Sequence, residues 1–103
     1  MTSQDIAKFV ENSLLRWTNH ILERLLQRNI RIDDVKFALM NCVIIEQYPN
    51  DYPFPSCLAL GYNEAGRALH IVCGSNGQEL WLITAYFPNP NEWSNDFKQR
   101  RKK

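Results

Sequence analysis

The chain has 103 residues, 45% hydrophobic and 22% charged, which is enough for one compact core and too few for two. It contains no run of about 18 apolar residues and opens on no charged-then-apolar leader, so membrane spanning and secretion are disfavoured and a cytoplasmic setting is expected. The formal net charge of +1 hides an asymmetry: five of the twelve basic side chains lie in the closing KQRRKK, and residues 1–97 carry 7 basic against 11 acidic groups. A polyanion would therefore meet a local basic surface or the tail, not a generally positive body.

In chain order, TSQDIAKFVENSLL offers Thr2 or Ser3 as an N-cap and spaces Ile6, Phe9, Val10 and Leu14 at helical intervals. LRWT reads as extended before Thr18 or Asn19 caps a second helix, the alternative being one continuous helix through it. RIDDVKFALMN gives a short third helix, with acids at its start to suit the helix dipole and Val35, Ala38 and Leu39 as its inner stripe. From there the period changes. CVIIEQY, SCLALGY, RALHIVC and ELWLITAYF are β-branched and aromatic, and PNDYPFP, NEAG and GSNGQ separate them as turns. The expected fold is α+β, with N-terminal helices on a four-stranded, mainly antiparallel sheet formed as a meander. Pro88 and Pro90 close the last strand, and NEWSNDF is read as adding a short helical turn. The expected division is a single domain over 1–97 and a basic, frayed tail over 98–103.

Cys42, Cys57 and Cys73 lie in strand-like apolar runs without the close pairing of zinc ligands, so buried free thiols are expected. No metal or cofactor is expected.

The second helix carries the most distinctive pattern. His20, Arg24 and Arg28 follow one another at four-residue intervals, and neither arginine has an acid three or four residues away on that helix. At 100° per residue, Ile21, Leu22, Leu25 and Leu26 form the apolar side and the three cations lie on the polar one. A solvated face is the ordinary meaning of such a row. Surface helices, however, commonly pair cations with acids at this spacing, whereas Arg24 stands between two other bases. A carboxylate or phosphate from elsewhere would relieve that repulsion.

On the sheet, His70 interrupts an apolar strand, a position more often taken by a hydrogen-bonded core histidine than by a catalyst. Strict alternation puts Leu80, Leu82, Thr84 and Tyr86 on one face of the last strand, and pairing 72 with 80 would set His70 opposite Leu82, beside Thr84 and Tyr86. The stiff aromatic loop YPNDYPFP either stacks on a base or covers the core.

Taken in order, HILERLLQRNIRIDDV, IIEQYPNDYPFPSCLALGY, RALHIV and LITAYFP…EW resemble a widespread prokaryotic domain family of unknown function. That family in turn resembles RelE/ParE and MqsR-type toxins of toxin-antitoxin pairs. The resemblance spans roughly residues 17–93. The sequence departs from the family's pattern at Ile21, where Ala is common, at Asn29, where Gly is common, and at Arg31, where a Ser cap is common. These positions affect packing and capping more than the cationic row. The resemblance implies a RelE-like α+β domain acting on RNA, at the ribosome or free, and held in check by a cognate antitoxin protein. It implies a metal-independent RNA endonuclease in which His20 and His70 share acid and base roles, Arg24 holds the phosphate and Tyr86 orients or donates. Such cleavage needs a base for the 2′-hydroxyl, an acid for the leaving oxygen and a cation for the crowded phosphate. Arg28, Lys98, Arg100 and Arg101 are the expected RNA-binding cations. The residues leave a rival open, a non-catalytic ParE-like or regulatory module that docks a protein through the same helix face, and the low charge of the body suits it.

Overall fold

Residues 1–102 are described by a computed structural model. Three nine-residue helices, α1 (Ser3–Glu11), α2 (Asn19–Gln27) and α3 (Ile32–Met40), accompany five strands. These are β1 (Leu15–Trp17), β2 (Val43–Tyr48), β3 (Ser56–Tyr62), β4 (Ala68–Ser75) and β5 (Leu80–Tyr86). The α+β class stands, and the four expected strands form the antiparallel run β2-β3-β4-β5. The sheet has five strands rather than four, in the order β1-β5-β4-β3-β2, because the extended LRWT segment pairs in parallel with the start of β5.

Local chemistry sets the helix starts. Thr2 accepts from the Asp5 amide while Asp5 accepts from the Thr2 amide, a reciprocal cap for α1. The Thr18 hydroxyl accepts from the Ile21 amide at 3.2 Å and so starts α2. Asn29, at φ 57°, turns the chain out of α2, and the Ile30 amide returns to the Leu25 carbonyl. At α3 the cap position is Arg31, and Asp34 accepts from the Arg31 amide at 2.9 Å in place of a serine cap.

The helices cover one face of the sheet. Ile6, Ile21, Leu25, Val35, Ala38 and Leu39 pack there against Cys57, Ala59, Leu69, Ile71, Cys73, Leu80, Leu82 and Ala85. Fully burying one Ile or Leu contributes about 1.5–3 kcal/mol, so this layer is the main source of stability. The side chains of β3 on this face are small, and a Cβ on Gly61 would fall 2.2 Å from the Ala38 carbonyl oxygen. Glycine is what lets α3 lie this close to the sheet. Leu26, expected on the inner side of α2, is 83% exposed. The helix lies against the sheet margin and buries only the narrow arc of Ile21 and Leu25.

The far face is covered by the C-terminal segment. Trp93 is buried there, and Leu58, Leu60 and His70 are buried beneath that layer, so β3 is enclosed on both sides. The expected short helical turn is a single one, the Trp93 amide donating to the Asn89 carbonyl at 3.0 Å; beyond it the segment through Arg101 runs in turns joined by an antiparallel bridge between Trp93 and Arg100. The three cysteines are free and buried, with the Sγ atoms of Cys57 and Cys73 3.8 Å apart across the β3–β4 ladder. Among the described residues, no helix is long and apolar enough to cross a membrane.

Candidate functional site

Two strand irregularities decide which side chains meet. A bulge at Ile83 breaks the alternation of β5, so Val72 pairs with Thr84 but Cys73 pairs with Leu82. Leu80, Leu82 and Ala85 consequently face the helices, whereas Trp81, Thr84 and Tyr86 face away. The expected grouping of Leu80, Leu82, Thr84 and Tyr86 is thus divided between the two faces. The expected register also moves: residue 80 pairs with Ser75, not 72, and His70 stands directly opposite Tyr86 instead of Leu82. A second bulge, at Ile45, turns Glu46 and Tyr48 toward the same far face as His70.

His70 is 0% exposed. Its Nε2 lies 2.8 Å from the Phe97 carbonyl, which only accepts, so Nε2 carries the proton and donates. That tautomer leaves Nδ1 to accept from the Tyr86 hydroxyl at 3.2 Å. Burial lowers the His70 pKa and keeps the ring neutral, against the opposing pull of the Phe97 hydrogen bond and the Glu46 charge. The Trp93 ring stands edge-on 4.3 Å from the imidazole. Arg100 closes the layer, its guanidinium 4.7 Å from the Trp93 ring centroid and forked onto Glu46 through two 3.1 Å hydrogen bonds. With no exposed surface and both ring nitrogens engaged inside the protein, His70 is a positioning residue for Tyr86 and for the C-terminal segment. The acid–base share expected of His70 would need access to a substrate, which this arrangement does not give.

The cationic row lies along the sheet margin. Because β1 pairs only with Leu80–Leu82, the outer edge of β5 is without a strand partner beyond Leu82, and α2 occupies that edge. Arg28 donates from Nη1 to the Ala85 carbonyl at 2.8 Å and lies 3.3 Å from the Thr84 hydroxyl. Arg24 reaches only Gln27, at 3.4 Å. Neither arginine has a carboxylate partner among the described residues; the ion pairs there are Arg16–Glu79, Arg31–Asp34 and Arg100–Glu46. Tyr86, half-buried, ends the row. Burial raises its pKa, while the Arg100 and Arg28 guanidinium groups pull the other way.

His20 stands at the opposite end. With Thr18 it forms one rim of a cleft of about 330 Å³ whose other walls are Asp51, Tyr52, Pro53, Phe54, Trp81 and Ile83. Three residues of strand at about 3.3 Å each separate Ile83 from Tyr86. The His20 cleft and Tyr86 therefore lie apart along β5. The row brings Arg28, Thr84 and Tyr86 together with His70 behind them, and leaves His20 with the aromatic loop.

Of the expected RNA-binding cations outside α2, Arg100 is held by Glu46, and Arg101 by the Pro90 carbonyl at 2.7 Å and Asn95 at 2.9 Å. The segment through Arg101 is thus tied to the body instead of fraying. Lys98 is exposed, and Lys103 of the expected tail lies outside the described residues. Sequence reading missed Trp81 as a wall of the His20 cleft, because the bulge hides its facing. It also missed Glu46 as an anchor, although a lone acid in VIIEQY was the available signal.

The edge row and its supporting strands fall inside one recognised unit. The family model described as Domain of unknown function (DUF4258) matches residues 17–87. This chain belongs to that family. The DUF4258 match begins at the end of β1 and stops just past Tyr86, so it contains His20, Arg24, Arg28, His70 and Tyr86 but excludes α1 and the segment that covers His70. No curated protein and no solved structure matches the chain.

Proposed function

We propose that this DUF4258 domain is the toxin of a toxin-antitoxin pair and acts on single-stranded RNA laid along the α2–β5 edge. The observation that carries the reading is the row His20, Arg24, Arg28 on α2, which lies along the edge of β5 without a carboxylate partner among the described residues and leads to a half-buried tyrosine. Two arginines spaced along a helix suit successive phosphates, because a guanidinium donates to phosphate oxygens as a fork. The scissile phosphate sits at the Arg28–Tyr86 end. There Arg28 balances the charge of the crowded phosphate; as the 2′-oxygen bonds to phosphorus and the bond to the 5′-oxygen breaks, water takes the 2′-hydroxyl proton and Tyr86, held by His70, turns its own proton to the leaving 5′-oxygen. His20 and Arg24 hold the preceding nucleotide. RelE-like toxins that use Arg and Tyr instead of paired histidines offer the parallel, and a cognate antitoxin covering the same edge would silence the site.

A second reading has its own observation. Leu26 is 83% exposed on the helix that carries the row, and an apolar side chain among cations suits a protein-docking surface. Expressing the chain without a partner and sequencing the RNA ends that accumulate separates the two. Discrete new 5′ ends that disappear in Arg28→Ala support cleavage, whereas growth arrest with intact RNA supports a protein target and overturns the nuclease reading.

A further inference from the structure

The cleft beside His20 has features that a phosphate-binding row does not require. Its walls are Tyr52, Pro53, Phe54 and Trp81, and Tyr52 is 95% exposed, a large aromatic ring with almost no packing in the free protein. The Phe54 and Trp81 rings lie 6.2 Å apart at 36°, and the Arg16 guanidinium sits 5.1 Å from the Trp81 ring centroid. The Trp81 indole nitrogen is enclosed and has no hydrogen-bond partner among the described residues. Unpaired enclosed donors are rare in native proteins and call for an explanation. The volume of about 330 Å³ falls within the range of roughly 300–1,000 Å³ usual for small-ligand pockets.

We infer that this cleft takes one unstacked nucleobase of the bound strand, with Tyr52 closing over it, and that Asp51 favours bases carrying an amino group. The inference rests on the RNA reading above and adds the reason for base preference. Aromatic and proline walls offer flat apolar surface, which suits the π-face of any base. Asp51 supplies the discrimination. Its carboxylate accepts from the Ser56 hydroxyl and lines the cleft, and an ionised carboxylate only accepts hydrogen bonds. Guanine, adenine and cytosine present amino N–H donors; uracil has no amino group, and its N3–H donor is flanked by two carbonyl oxygens that repel a carboxylate. Because few contacts hold Tyr52, the loop admits the base without disturbing the core. His20, on the facing rim, is placed for the phosphate of the same nucleotide.

The test is anisotropy titration of the full chain with labelled four-nucleotide RNAs and with a ribose-phosphate tetramer that lacks bases. The wild type should bind the cytidine RNA at least roughly tenfold more tightly than the baseless tetramer. Tyr52→Ala should remove that difference without changing affinity for the baseless tetramer, and Arg24→Ala should weaken both. Asp51→Asn should narrow the preference for cytidine over uridine RNA. Circular dichroism melts of the variants guard against misfolding, and Tyr52, being exposed, should leave the melt unchanged. Equal wild-type affinity for both oligomers, or a base preference that survives Tyr52→Ala, overturns the pocket while leaving strand binding intact. If neither oligomer binds but cytidine or guanosine quenches tryptophan fluorescence in a Tyr52-dependent way, the pocket stands and the RNA reading falls. If nothing binds, both fall.

Discussion

Nδ1 of His70 lies 3.2 Å from the Tyr86 hydroxyl across the β4–β5 ladder, while Nε2 of the same ring donates to the Phe97 carbonyl. One buried imidazole therefore fixes the hydroxyl of Tyr86, proposed to face the scissile phosphate, and also pins the C-terminal segment to the sheet.

The first prediction is a pH dependence of stability. Burial holds the His70 pKa below its ordinary value of 6.5, whereas the unfolded chain takes up that proton near 6.5. As pH falls below about 6.5, the unfolded state binds more protons than the native state, and stability declines. The contribution is complete above the unfolded pKa and is lost as pH drops through the lower folded one. Urea midpoints at pH 7.5, 6.5 and 5.5 should fall in that order. His70→Gln should unfold more easily at every pH but show a flatter slope. A slope unaffected by His70→Gln would remove the buried neutral ring as its cause.

Arg24 and Arg28 should separate. Among the described residues the Arg24 side chain hydrogen-bonds only Gln27, so Arg24→Ala should change stability by about 0.5 kcal/mol or less, as at ordinary surface positions. Arg28 donates to the Ala85 carbonyl on an unpaired strand edge, and its loss should cost about 1 kcal/mol. Both should lose RNA binding. A fall in binding that tracks the unfolded fraction in Arg24→Ala would mark the row as structural.

The elements legible in the sequence were those with local causes. Thr18 announces α2 through its hydroxyl, paired acids announce α3, and β-branched runs separated by turn residues announce β2 to β5. What stayed hidden depends on long-range register. Three residues of LRW carry no period, so nothing local says that they pair in parallel with β5. The Ile83 bulge reverses the facing of Thr84 and Tyr86 relative to Leu82 without any glycine or proline to mark it. His70 was legible as a polar residue in an apolar strand, but its restriction to a positioning role depends on Phe97, 27 residues away. The cationic row of α2 was visible from spacing alone; its place on an open strand edge was not.

Tyr86→Phe tests the chemical role. If Tyr86 exchanges a proton in the transition state, single-turnover cleavage should fall by roughly 10²-fold or more while RNA affinity stays near the wild-type value. The substitution also leaves His70 Nδ1 without its donor, which costs about 1–3 kcal/mol for a buried unpaired group. Rates must therefore be compared at a temperature where both proteins are folded. An unchanged rate in the folded variant would confine the tyrosine to packing.

The C-terminal cations should divide into two kinds. Arg100 bonds Glu46 and covers Trp93, and the Arg101 amide donates to the Glu92 carbonyl. Its side chain is 63% exposed, so the ion pair itself contributes only about 0.2–1 kcal/mol. Removing it also strips cover from Trp93 and leaves Glu46 without its cation. Arg100→Ala should therefore lower Tm by several degrees, given roughly 4–8 °C per kcal/mol for a domain of this size. Lys98 and Lys102 are exposed, and the double change Lys98→Ala with Lys102→Ala should leave Tm unchanged. If those lysines serve RNA, this double variant binds more weakly with a shallower dependence on salt, because fewer counterions are released. Deleting 98–103 should combine both effects, lowering Tm and affinity together. A truncated protein that melts like the wild type would show that the Arg100 and Arg101 contacts do not hold the segment in solution.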